Sequence, residues 1–195
     1  FAIRPGHAPA YLGACEQICS RAGQHLGGYT FADRGPPASA IELCRAIARS
    51  GADLGYRGLT GIDVLIDRSG RAFAIDPNFR PAASTGMVQH FGRLSRERGH
   101  ACGRVAFCGY AGSLEGFLAG CRPGLKEGWL VPLALADAAV PSLKSTTSFG
   151  QFVILGDSPA HIARREALLL RANIGIFGVK RPLRDRLLRK LRLQR

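Results

Sequence analysis

The stretch GIDVLIDRSGRAFAIDPNFR, residues 61–80, sets oxygen-bearing and guanidinium side chains at a two-residue rhythm. Asp63, Asp76 and Asn78 carry the carboxylate and amide oxygens that a hard divalent cation takes as ligands. Arg80 carries a planar fork suited to gripping a phosphate or an acyl phosphate at two points. Whether these groups meet depends on register. Two strand-like runs, 62–67 and 71–76, flank Asp67-Arg68-Ser69-Gly70, a turn-rich cluster. With Ser69-Gly70 as a two-residue loop, Arg68 stands across from Arg71, and Asp63 stands directly across from Asp76. A four-residue loop gives the same register, whereas a three-residue loop with a bulge would break it.

Alternation at period two sorts the remaining side chains. Ile62, Val64, Ile66, Phe73 and Ile75 fall on one apolar face, expected to be the core side. Asp63, Leu65, Asp67, Ala72, Ala74, Asp76 and Asn78 fall on the other, and the small Ala72 and Ala74 leave room for something bulky there. Opposed side chains have Cβ atoms about 4.5–5.5 Å apart, and like charges at that spacing destabilise a sheet. A shared magnesium ion would remove the conflict, because it takes one or two carboxylates together with substrate phosphates. Two aspartates facing solvent, with Arg68 and Arg71 relieving their charge, are the other reading, since exposed charge is common on antiparallel sheets.

The elements that must position this hairpin surround it in the chain. AYLGACEQICSRAGQHLGGY, residues 10–29, reads as a helix-like run ending at Gly27-Gly28. After a loop with Pro36-Pro37, ASAIELCRAIARSG opens with Ser39 and Glu42 at capping-box spacing. Ile41, Cys44, Ile47 and Ala48 form its apolar face, and Gly51 is a natural stop. Beyond residue 86, MVQHFGRLSRERG and SLEGFLAGC read as helices. QFVILGDSPAHIARREALLLRAN reads as a strand entering a helix capped by Ser158 or Asp157, with Pro159 in its first turn. Mixed strands and helices predict an α/β or α+β architecture.

Composition narrows the classes. The chain has 195 residues, 46% hydrophobic and 21% charged, which is ordinary for a globular domain. The opening FAIRPGHAPAY has no basic segment followed by an apolar run, which argues against a signal peptide and suggests a piece of a longer protein. The longest apolar run, WLVPLALADAAV, is broken by Pro132 and Asp137 and falls short of the roughly 20 residues of a membrane span. A cytoplasmic protein is therefore the expectation. Cys15, Cys19, Cys44, Cys102, Cys108 and Cys121 match no C-x-x-C pattern and read as reduced packing residues, with Cys15 and Cys19 on one helix face.

The net charge of +13 looks like a nucleic-acid signature until it is located. Residues 180–195, KRPLRDRLLRKLRLQR, hold +7 of it. Leu183, Leu187, Leu188 and Leu191 there form one helical stripe. Such a tail either packs by its leucines or rests on an acidic surface or nucleic acid. A basic binding module driven by this tail is the alternative function. Against it, there is no aromatic-rich RNA platform or zinc pattern, and aromatic residues make up 8% of the chain. Nucleic acid and membrane are therefore disfavoured as partners.

The hairpin sequence resembles the metal-binding hairpin of the ATP-grasp superfamily, in which an acidic residue in the first strand is followed, after the turn, by acidic-x-Asn-x-Arg. Asp63, Asp76, Asn78 and Arg80 fill those positions, with D-P-N-F-R where the family usually writes E-x-N-x-R. The resemblance implies a C-terminal ATP-grasp core over residues 1–178, with a mainly antiparallel sheet, flanking helices and missing N-terminal lobes, followed by a basic tail at 179–195. It implies ATP and Mg2+ (or Mn2+) as cofactors, held by Asp63, Asp76 and Asn78. Arg80 becomes the catalytic group and Gln17 a residue near the nucleotide. The implied reaction joins a small-molecule carboxylate to an amine, amino acid or peptide through an acyl phosphate. The small-residue loop PAASTG lies where the family places its carboxylate. The family's phosphate-contacting lysines lie upstream of this hairpin, whereas Lys126, Lys144, Lys180 and Lys190 are all downstream. The missing lobe of the same protein is thus an expected partner, and the fragment alone is expected to be inactive.

Overall fold

The computed structural model describes residues 1–137 and 147–179. The tail 180–195 and its leucine stripe lie outside the described residues. Two small ribbons and one large antiparallel sheet carry the chain. The first ribbon pairs β1 (Ala2–Ile3) with β4 (Gly58–Leu59). The second pairs β5 (Gly61–Ile66) with β6 (Ala72–Asn78). The large sheet contains β2 (Glu16–Cys19), β3 (His25–Phe31), β7 (Cys102–Ala111), β8 (Leu130–Ala136), β9 (Thr147–Gly156) and β10 (Gly175–Ile176). Its order is β2-β3-β7-β9-β8, with β10 beside β3 on the same edge of β7.

The long central strands β7 and β9 are buried on both faces, and their sequences show why. Val105, Val153 and Leu155 face Met87, Phe91 and Leu94 of α2 (Thr85–Arg98). The alternate positions Cys102, Ala106, Cys108, Phe152 and Ile154 face α3 (Leu114–Lys126) and α4 (Pro159–Arg171). The result is a helix–sheet–helix sandwich. From β7 to β10 the order of elements is βαββαβ, with both helices on one face and strand order β10-β7-β9-β8. That is the split βαβ, ferredoxin-like arrangement. Arg104 and Glu166, both buried, form an ion pair that ties β7 to α4. The expectation of a mainly antiparallel sheet with flanking helices holds. So do the helices after residue 86 and the Ser158 cap, whose hydroxyl accepts a hydrogen bond from His161 N at 3.2 Å.

Three local expectations are corrected. Residues 16–31 form a hairpin, not a helix, so Cys15 and Cys19 share no helix face. Ser20 N donates to Gln24 O at 2.8 Å, and Ser20 Oγ accepts from Ala22 N and Gln24 N. Gly27 and Gly28 are strand residues there because a Cβ would meet Val105 O and Cys15 Sγ, each at 2.3 Å. Close strand approach, not helix termination, explains the glycine pair. Secondly, α1 (Ala38–Asp53) starts at Pro37, whose carbonyl already accepts from Ala40 N and Ile41 N. Ser39 is thereby inside the helix, so no capping box forms, and Glu42 pairs with Arg45 instead.

Thirdly, Gly51 does not end α1. It is buried, and a Cβ on it would lie 2.1 Å from Phe79 Cε1. Phe79 stands between Asn78 and Arg80 and packs edge-on against Tyr56, with ring centroids 5.1 Å apart. The glycine therefore sets the distance between α1 and the strand bearing Asn78. Gly51→Ala gains up to about 1 kcal/mol of helix propensity, but the overpacking against a wedged ring costs about 1–3 kcal/mol. We expect net destabilisation in urea unfolding, largely relieved by Phe79→Leu in the same chain.

Candidate functional site

Asp63 and Asp76 are paired directly across the β5–β6 hairpin. The route to that register differs from the sequence expectation. Asp67 N donates to Arg71 O and Gly70 N donates to Asp67 O, both at 2.9 Å, so the turn is the three-residue loop Arg68-Ser69-Gly70. Gly70 supplies the positive φ of 82° that such a loop needs. This loop alone would shift the pairing by one residue. A β-bulge between the pairs Asp63–Asp76 and Val64–Ala74 shifts it back, with Ile75 as the extra residue.

The bulge also re-sorts the faces. Val64 and Ile66 pair with Ala74 and Ala72, and Leu65 pairs with Phe73. Cross-strand partners share a face, so Ala72 and Ala74 do not lie beside Asp63, and they open no space for a substrate at it. Neither face of the ribbon's tip is a core: Leu65 and Phe73 on one side are 53% and 46% exposed, Ile66 on the other is 42% exposed, and the bulged Ile75 is 64% exposed. Among the described residues the ribbon pairs with itself only, and α1 meets its base where Gly51 adjoins Phe79.

The hydrogen bonds separate turn chemistry from site chemistry. Asp67 Oδ1 accepts from Ser69 N, Ser69 Oγ and Arg71 N, and Oδ2 accepts from Arg71 Nε at 2.8 Å. These bonds, led by the Ser69 hydroxyl, pull the Asp67 carboxyl down to about 2. Arg71 is thus committed to Asp67. Arg68 lies in the turn five residues beyond Asp63, roughly 15 Å along a strand. Among the described residues no ion pair reaches Asp63 or Asp76. Asp76 Oδ2 accepts from Asn78 Nδ2 at 2.8 Å. Asn78 is held by its backbone, since its carbonyl accepts from buried Thr60 Oγ1 at 2.9 Å.

Asp63 is half-buried and lies on the wall of a cleft of about 680 Å³ between the β2–β3 hairpin, α1 and the β5–β6 ribbon. Gln17, Thr30, Arg34 and Thr85 line the same cleft. Asp76, Asn78 and Arg80 are not in its lining. Arg80 is exposed just past the strand, where its guanidinium donates to Pro81 O at 3.3 Å. The structure therefore brings together Asp63, Asp76 and Asn78, and leaves Arg80 beside them without a contact to the group. Cys15 is the near neighbour of Asp63 that the sequence did not disclose. Burial pushes its thiol up to about 12, with the Glu16 and Asp63 carboxylates adding to the rise, so it stays a neutral packing group. Thr60 was also missed. Its one sequence signal is a lone hydroxyl residue between Leu59 and Gly61 where a ribbon begins.

Residues 1–78 match the family model described as L-aspartate–L-methionine ligase, ATP grasp. The matched span closes on Asn78, so it contains both aspartates and the amide of the site and stops short of Arg80. Over that span the chain is similar to an ATP-grasp ligase family. Among the described residues no helix is long and apolar enough to cross a membrane.

Because the folded Asp67 carboxyl titrates near 2, below its ordinary value of about 3.9, its bonds support the turn fully above about pH 4. That support fades as pH falls toward 2. A carbon-detected NMR titration should give Asp67 the lowest side-chain midpoint in the ribbon, with the amides of 68–71 shifting in step. In Asp67→Ala the Ser69 and Arg71 amides lose their acceptor, and their signals should broaden at neutral pH.

Proposed function

We propose that the protein is part of an ATP-dependent carboxylate–amine ligase whose metal-binding ribbon is Asp63, Asp76 and Asn78. The observation that carries this reading is the opposed, unneutralised pair Asp63–Asp76. Side by side, two carboxylates repel by about 1 kcal/mol in bulk water and about 4 kcal/mol at the effective dielectric near a protein surface, and the turn arginine Arg71 is held by Asp67. An all-oxygen donor set with surplus negative charge fits a hard divalent cation. Asp63 and Asp76 would supply carboxylate oxygens and Asn78 its Oδ1, with Nδ2 already turned to Asp76. When bound, magnesium would screen the phosphate oxygens of ATP during phosphoryl transfer.

The chain's own residues have separate roles in this reading. Thr60 and Phe79 fix the strand from which Asn78 and Arg80 project. Arg80, without a carboxylate partner among the described residues, would reach the transferring phosphoryl group or the acyl phosphate. The cleft beside Asp63, with Gln17 on its wall, would take nucleotide or carboxylate. A further lobe of the same protein would supply the phosphate-contacting lysines, with residues 1–178 as the C-terminal part of the catalytic unit. The family name makes L-aspartate and L-methionine the first carboxylate and amine to assay.

In a protein carrying the complete catalytic unit, Asp76→Ala and Asn78→Ala should each lower amine-dependent ADP release by about two orders of magnitude or more, the scale for losing a group that stabilises transition-state charge. Their circular dichroism and unfolding midpoints should stay near the parent's. Normal magnesium-dependent turnover in both variants would end the assignment.

A further inference from the structure

The turn between Arg80 and α2 forms part of the cleft wall, since Ala82, Ser84 and Thr85 line the cleft together with Asp63. Its residues, Pro-Ala-Ala-Ser-Thr, are all small, with no long side chain to pack the turn down. Its hydrogen bonds close it on itself. Ala82 N donates to Thr85 Oγ1 at 2.8 Å, and Thr85 N donates to Ala82 O at 3.0 Å. Ser84, at the N-cap of α2, makes no side-chain capping bond. Such a turn is stiff within itself, but its place in the cleft has to be set from outside.

The second half of the chain supplies that fastening. Gln151 lies on β9 between Phe107 of β7 and Ala134 of β8. By strand alternation it shares a face with Val153 and Leu155, the residues on which α2 packs. Its amide reaches past the start of α2 and donates to Ala83 O. Because the partner is a carbonyl, only the nitrogen end of the amide can make this bond. The turn in its turn meets the metal-binding ribbon, where a Cβ on Gly61 would lie 3.1 Å from Ala82 Cβ. Gly61 is paired with Asn78. Contacts thus run without a break from the central sheet, through Gln151 and the turn, to the strands that bear Asp63 and Asn78.

We infer that Gln151 is a positioning residue for the site, holding the turn 81–84 so that the cleft wall and the mount of Arg80 keep their place relative to Asp63. It acts through the turn, not on a reacting atom. The purpose given to the contact rests on the ligase reading; the contact itself does not.

Two substitutions of nearly the same length isolate the donated hydrogen bond. Gln151→Met removes the donor. Gln151→Glu removes it at neutral pH and restores it on protonation, and a carboxyl that donates to a carbonyl keeps its proton above its ordinary value of about 4.3. In a protein carrying the complete catalytic unit, both variants should lower kcat/KM for amine-dependent ADP release at pH 7 by about tenfold or more, the scale on which a misplaced but intact site loses rate. Taken as a ratio to the parent at each pH, the Glu variant should recover as pH falls from 7 to 5, while the Met variant stays low. The same signature should appear without turnover in the amide spectrum of the 195-residue chain. Residues 82–85 of the Glu variant should move back toward their parental shifts on acidification, and those of the Met variant should not. Loss of the ligase reading would leave this second readout standing. The inference is overturned if the Met variant keeps parental kcat/KM and parental shifts at 82–85, or if the Glu variant follows the Met variant at every pH.

Discussion

Two aspartates held side by side on a self-paired ribbon are the constraint around which the site is arranged. Like charges across a strand pair repel by about 1 kcal/mol even in bulk water and by more near a protein surface, and a lone two-stranded ribbon is itself only marginally stable. The ribbon keeps the arrangement because other parts enforce it. A three-residue turn and a bulge at Ile75 cancel each other's register shifts, so that Asp63 meets Asp76. Thr60 ties down the backbone of Asn78, and Phe79 wedges the strand's continuation against α1 at Gly51. Remove any of these and the carboxylates are free to separate.

Charge is partitioned along the same ribbon. At the tip, Asp67 and Arg71 neutralise each other and organise the turn. At the base, Asp63 and Asp76 have no such partner among the described residues. A solvated face would distribute its arginines where they relieve repulsion. Here Arg71 is spent on the turn and Arg80 donates to Pro81 O instead of to either carboxylate, which leaves net negative charge where the register concentrates oxygens. The βαββαβ sheet behind is uncharged at its centre apart from the Arg104–Glu166 pair, and acts as a rigid platform for α2 and, through it, for the loop after Arg80.

The sequence made some features legible and hid others, for physical reasons. The opposition of Asp63 and Asp76 holds, but not through the two- or four-residue turn that the sequence suggested: a three-residue turn and a bulge cancel each other, and neither irregularity was legible. A bulge has no composition of its own here, since Ile75 looks like any strand residue. The core strand β9 and the Ser158 cap follow from local pattern. Residues 16–31 mislead because Gly27-Gly28 reads as punctuation, when those glycines answer to Val105 and Cys15, which lie far off or out of pattern. Gly51 misled in the same way, because its reason is Phe79. The apolar residues of the ribbon looked like a core face because periodicity tells which side chains share a face, not whether anything covers it.

The central claim is that the base of this ribbon holds a divalent cation. Paramagnetic broadening by Mn2+, read in amide spectra of the described chain, tests it most directly. The account predicts that substoichiometric Mn2+ broadens residues 61–64 and 75–78 first, that excess Mg2+ restores them, and that Asp63→Asn with Asp76→Asn removes the effect. Broadening that starts elsewhere in the chain, or that survives the loss of both carboxylates, would contradict it.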